Sequence, residues 1–288
     1  PNLKMEIDGS IDFRDKKNLI KVEADLDTVN LKMLGFAQED VIIKARGTLD
    51  TEGNSLNEII GEAYLQNVYA RYRSSSLQLD TLAIATSIAD NYRKLTFDSD
   101  LASGSMNGDY DFLQLQQDVQ TMVREFELKI ENNSEKIARY YARIDSSATY
   151  ANYSVLYDFN IKEINPLINL FLPALYVEPN TKISGSFVNG INSVFNVRTS
   201  IDSVNYGGAS FKNNEVDISF SKDHQNRNVL GMAYVYSQSQ TFLKQLQTEH
   251  IESELIWTGQ QIDFSAHLQQ PEFSNDLDIA GNLVFEED

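Results

Sequence analysis

Apolar and polar residues alternate along most of this chain. Ile20, Val22, Ala24 and Leu26 interleave with Lys21, Glu23, Asp25 and Asp27; far downstream, Ile262, Phe264, Ala266 and Leu268 interleave with Asp263, Ser265 and His267. A strand has a side-chain period of two, so each such segment presents one apolar and one polar face. The pattern predicts strands at about 3–15, 19–28, 40–50, 59–73, 76–86 and 93–102, parted by Gly- and polar-rich clusters at Asp50–Asn54 and Ser103–Gly108. Then the period changes. Leu113, Leu115, Val119, Met122, Val123, Phe126 and Ile130 recur mostly at three- and four-residue steps, which predicts an amphipathic helix near 113–129. Strands resume near 136–144 and 148–162. Short helical insertions are predicted at 29–36, 164–172 and 239–247, with further strands between and after the last two. Val229–Tyr236 is apolar on both faces, which predicts cover on both sides, with the 239–247 segment as one cover.

The chain also echoes itself. Gln66–Tyr72 is answered by Asp202–Gly208, and Gly47-Thr48 by Gly185-Ser186; Val29–Phe36 and Ile164–Leu172 lie upstream of the two glycines. This predicts two related β stretches, 1–145 and 146–288, the first carrying the helix near 113–129.

Composition narrows the functions open to such a sheet. Lys and Arg number 24 against 42 Asp and Glu, a net charge of −18 that disfavours nucleic acid and a basic-patch membrane binder. The absence of cysteine excludes disulfides, cysteine nucleophiles and thiolate metal sites. The longest apolar candidate, Ile164–Leu175, is interrupted by Asn165, Pro166, Asn169 and Pro173, and is too short to span a bilayer. The chain opens Pro-Asn-Leu-Lys and reads as a piece of something longer.

Catalytic chemistry has little material, and no enzyme is expected. His224 lies in the polar run Lys222–Arg227 and is expected to be solvated; His250 and His267 sit on polar strand faces. Asp98, Asp100, Asp109 and Asp111 lack the spacing of a calcium loop and read as polar-face and turn residues. No phosphate-binding or metalloprotease motif is present, and no cofactor or metal is expected.

The segment Leu95–Phe112, LTFDSDLASGSMNGDYDF, followed by Leu113-Gln-Leu and the helix, resembles a passage of the TamB proteins of Bacteroidetes. The insertions near Val29–Leu34 and Ile164–Leu170 resemble that family's repeat boundaries. The resemblance implies a non-enzymatic, AsmA-like, β-taco-like fold: an elongated, curved antiparallel sheet forming an open hydrophobic groove. It implies a periplasmic location as part of an inner-membrane-anchored Gram-negative envelope protein, with lipid transport and outer-membrane biogenesis as its work. Phospholipid acyl chains are the implied partners, together with an outer-membrane barrel partner of the TamA type engaged by regions outside this chain. The triplets Asp27-Thr-Val29, Asp80-Thr-Leu82 and Asp202-Ser-Val204 match the sequons that Bacteroidetes O-glycosylate in the periplasm.

Periodicity alone does not separate an open groove from a closed sandwich, which is the commoner way to cover an apolar face. The resemblance turns the expectation to the groove. A uniform apolar wall gains about 0.8 kcal/mol for each CH₂ removed from water, with no single tight point. Roughly a dozen strands at about 4.8 Å spacing give a trough on the order of 60 Å long. The candidate lumen residues are Ile20, Val22, Leu26, Val41, Ile43, Leu77, Leu79, Leu95, Phe97, Val155, Tyr157, Phe159, Val216, Ile218, Phe220, Ile262 and Phe264. Two alternatives stay open: a scaffold pairing with client strands of outer-membrane proteins, and a closed sandwich that binds through its loops.

Overall fold

The computed structural model describes all residues except 1–2, 14–16, 34–38, 73–74, 144–149, 170–171, 225–227, 244 and 286–288. Among the described residues, sixteen strands form one long, open antiparallel sheet, and three α-helices accompany it. The chain divides into two compact units, Pro1–Asn107 with Tyr157–Lys182, and Gly108–Leu156 with Ile183–Asp288.

The first unit opens with a meander: β1 (Leu3–Asp12), β2 (Leu19–Asn30), β3 (Val41–Glu52), β4 (Ile60–Tyr72), β5 (Ser75–Ala89) and β6 (Tyr92–Ser99), each hydrogen-bonded to the next. The β5–β6 turn is two residues long, Asp90 and Asn91 with φ of 52° and 63°, as the twist of a tight hairpin requires. β7 (Ala102–Gly108) follows, and β8 (Tyr153–Ile161) belongs to this unit from Tyr157 onward. A four-residue helix at Asn165–Ile168 and β9 (Leu175–Val177) complete the unit.

The second unit holds α1 (Phe112–Glu131) and α2 (Ser134–Tyr141), then β10 (Thr181–Asn189), β11 (Asn192–Tyr206), β12 (Ala209–Asp223), β13 (Val229–Phe242), β14 (Leu246–Thr258), β15 (Gln261–Gln270) and β16 (Asn275–Val284). Asp111 caps α1 by accepting the Gln114 amide at 2.9 Å, and Asn132 ends it in the left-handed conformation. Asn133 caps α2 in the same manner as Asp111, accepting from the Lys136 amide.

Both units bend their strands along a line. Register shifts at Lys4/Met5, Leu26/Val29 and Lys44/Arg46, with the positive-φ Asn67 on β4, fall at one level across neighbouring strands. In the second unit Asn213 and His250 have positive φ, Asn213 donates to Gln238 at 2.6 Å, and β14 shifts register at Glu249/Glu252. A bulge inserts a residue, bends its strand and strengthens the twist, so an aligned row bends the sheet locally.

Several sequence expectations are corrected here. Ser103–Gly108 is strand β7, not a separator: its small side chains leave room above it, where the Phe97 and Phe159 rings meet at 5.7 Å, Phe159 lying against Gly104. The predicted strand at 136–144 is helix α2 through Tyr141, because a capping Asn and the Glu135–Arg139 pair favour helix. The predicted insertion at 239–247 is the end of β13, a turn and the start of β14. β13 is covered on one face only, since Leu230 and Met232 are exposed. Of the insertion at 29–36, β2 takes 29–30 and a turn 31–33, while 34–36 lie outside the described residues; that at 164–172 is helical only over Asn165–Ile168.

A second aromatic rests on glycine in β13: a Cβ on Gly231 would stand 2.5 Å from the Phe220 ring, its register partner. Phe264 covers Gly281 likewise. Gly231→Val therefore displaces Phe220 and is expected to cost roughly 1–3 kcal/mol in urea unfolding, a loss that Phe220→Ala in the same chain partly relieves.

Candidate functional site

Register places the apolar residues of the first unit on one face. One row runs Val22–Leu49–Ala63–Ile84–Phe97 through directly paired residues on five strands. A second runs Val29–Ile43–Ala70–Leu77, and Thr86 is paired with Leu95. Ile20 and Leu26 share the face with Val22, Val41 shares it with Ile43, and Leu79 sits opposite Val68. Tyr157 stacks on Phe159 at 5.3 Å, and burial pushes its hydroxyl up to about 12. On the other face, Lys4–Asp27, Lys21–Asp50 and Arg46–Asp25 pair across the strands in solvent.

The second unit has matching rows. Phe195–Phe220–Gly231–Trp257–Ile262–Leu283 and Val197–Ile218–Ala233–Leu255–Phe264–Gly281 each cross six strands, and Val216 lies opposite Val235. The register thus brings the sequence candidates on β2–β6 and on β12–β15 onto these faces.

Their cover is partial. Leu79 and Ile262 are 9% exposed and Val155 is 1% exposed, so these three are core residues; the other candidates are half-buried. Among the described residues, small buried clusters form on these faces at Ala45–Val68–Leu79 and Val229–Trp257–Ile262. The accessible surface is 18125 Å². A compact monomer of this mass would expose about 12,000 Å², and two separate compact bodies of half the mass about 15,000 Å². The excess is what incompletely covered faces leave behind.

Helix α1 covers one end of the second unit's apolar face. Phe126 meets Phe220 at 4.8 Å and Trp257 at 5.6 Å. The adjoining flank of α1 is polar and buried. Asp118 accepts from Gln114 (2.9 Å), Tyr153 (2.7 Å) and Asn189 (3.1 Å). Glu125 and Lys222 form a buried ion pair, and the Tyr140 hydroxyl donates to Glu125 at 3.2 Å. Burial first, and the Glu125 charge second, push that hydroxyl up to about 12. Burial and the Asp118 hydrogen bond raise Tyr153 further.

His224, expected in solvent, is half-buried in this network. Its ring stacks on Tyr150 at 3.8 Å, and Nε2 lies 2.7 Å from Ser193 Oγ. The Ser193 hydroxyl donates to Asn189 Oδ1 at 2.5 Å, so His224 Nε2 is the donor to Ser193. That polarity is the reverse of what a serine nucleophile needs. His250 instead meets the Tyr236 hydroxyl at 3.0 Å and His267 meets Asp278 at 2.7 Å, both on polar strand faces.

The aspartates of Leu95–Phe112 each have a local task. Asp98 pairs with Lys162, Asp100 accepts the Asp80 and Thr81 amides, Asp109 accepts the Ser154 amide at 2.6 Å, and Asp111 caps α1. No group of metal-ligating side chains occurs among the described residues, and no described helix is long and apolar enough to cross a membrane. The polar network was invisible in sequence because its members come from positions 114 to 224, and helical periodicity puts Asp118 and Glu125 among the outward residues of the helix, whereas the fold buries Glu125 to 2% exposure. No family model, curated protein or solved structure matches the chain.

Lys222→Met leaves the Glu125 carboxylate buried without its cation, an expected loss of about 3–5 kcal/mol in chemical unfolding; adding Glu125→Leu should restore most of it. For His224, burial and then the Lys222 charge hold the imidazole below its usual 6.5. The unfolded chain therefore takes up the proton first, and this contribution to stability is present above 6.5 and lost as pH falls through 6.5 toward the folded value. Unfolding of the His224→Gln chain between pH 7 and 5 should show a shallower decline than the native chain.

Proposed function

We propose that the apolar faces of this sheet shelter phospholipid acyl chains, as a non-enzymatic segment of a TamB-like envelope protein that moves lipid between the inner and outer membranes. The observation that carries this reading is the set of unbroken apolar rows, paired strand to strand yet only half-covered by the chain itself. A closed sandwich would bury those rows, and the surface excess argues against it. The aligned bulges favour a sheet bent about its apolar side, which is the form a groove requires. Acyl chains suit such a wall because they need no hydrogen-bonding partners and gain about 0.8 kcal/mol per CH₂ sheltered. In this reading the protein works in the periplasm as part of an inner-membrane-anchored chain, and a TamA-type barrel partner is engaged elsewhere in that chain.

A second reading is a scaffold for outer-membrane protein assembly, in which a strand edge of the sheet takes up an extended client strand by strand addition. β1 and β16 each pair on one side only among the described residues, and Met5, Ile7, Ile279 and Leu283 are exposed there.

One experiment separates the two. Native mass spectrometry of the gently purified protein should find phospholipid retained, and Phe97→Asp with Phe159→Asp should strip it while the circular dichroism of the sheet persists. A lipid-free native chain whose β1 and β16 positions crosslink to unfolded outer-membrane proteins would overturn the lipid reading in favour of the scaffold.

A further inference from the structure

A cavity of about 310 Å³ lies between α1 and the apolar face of the second unit. Val119, Val123, Phe126 and Ile130, at steps of four, three and four along one helix flank, form its wall; Phe220 and Trp257 form its floor. We propose that this cavity is a defined seat for a single alkyl chain, the point at which a lipid tail docks under the helix. The inference rests on the lipid-sheltering reading and narrows it to one place.

Three features select that occupant. The cavity is about twice the ~150 Å³ that accommodates a benzene ring, enough for a length of hydrocarbon but not for a folded element. Its one polar lining residue is Glu127, whose carboxylate is held by Arg124 at 2.9 Å on the exposed side of α1. A peptide segment seated there would bury amides with nothing to bond, whereas a hydrocarbon has no such groups to satisfy. Finally, Val123 and Ile130 remain 53% and 60% exposed although the adjoining polar flank of α1 is fixed by Asp118 and Glu125. The wall is therefore held in place with its apolar side open at the mouth. The Phe220 ring of the floor packs against Gly231, where a Cβ would leave it no room.

Trp257 is the only tryptophan in the chain, so its fluorescence reports on this cavity alone. Titration of the purified protein with stearate brominated at mid-chain, a contact quencher, should remove most of the Trp257 emission saturably. Val123→Asp with Ile130→Asp, both at exposed positions, should abolish the quenching, while Gln117→Asp with Gln120→Asp, exposed on α1 away from the cavity, should leave it intact. Should the aspartates unfold α1, as circular dichroism would reveal, Ser in place of Val123 and Ile130 makes the same test. Brominated stearate bound by native mass spectrometry with Trp257 unquenched, or quenching indifferent to the cavity substitutions, overturns the seat while the broader lipid reading stands. No bound probe at all overturns both.

Discussion

A single-layer sheet with one apolar face has nothing of its own to lay against that face, and this constraint governs the molecule. Hydrogen bonding is satisfied strand to strand in the plane, and the outer face is solvated by paired charges such as Lys21–Asp50 and Arg198–Asp217. What is left is a run of valine, isoleucine, leucine and phenylalanine that water disfavours. The chain answers in part: rings rest against glycines, as Phe159 does on Gly104, and a single long helix covers part of the second unit's face. The remainder is half-covered.

Helix α1 shows how two kinds of cover divide one element. Its apolar flank rests on Phe220 and Trp257, an attraction without direction. Its polar flank enters a buried set of oriented bonds from Asp118 to Tyr153 and Asn189, and from Glu125 to Lys222 and Tyr140. Directional bonds fix rotation and register where greasy contact alone would allow sliding. A buried ion pair contributes little net stability against a hydrophobic replacement. Its value in this position lies in specifying one pose of the helix.

The strands and α1 were legible in sequence because periods of two and near 3.6 are one-dimensional signals, and within β2–β6 and β12–β15 strand pairing keeps residues of one parity on one face. Failures came where local signals misled. Ser103–Gly108 has turn-like composition, yet it is a strand because small residues make space for Phe97 and Phe159 arriving from its neighbours. The 239–247 segment has helix-like polarity but belongs to a hairpin, where pairing with chain neighbours outweighs propensity. His224 looked solvated among Lys, Asp, Gln and Asn; only the fold brings Tyr150 and Ser193 to its ring. Val155 matched the lumen pattern, but parity names a face and not the depth of cover upon it.

The order of strands in the sheet follows, with few exceptions, the order in which the chain runs. Most hairpins then close over a turn of two to seven residues, so the entropy lost in forming one pair is small and does not depend on distant segments having already met. The connection from Gly108 to Tyr153, which carries both long helices, is the chief interruption. A ribbon built in this manner can grow from either side of that break as soon as neighbouring strands are available. It can also lose or gain a hairpin while the rest keeps its pairing, so that its length is free to change by increments that its cross-section does not feel.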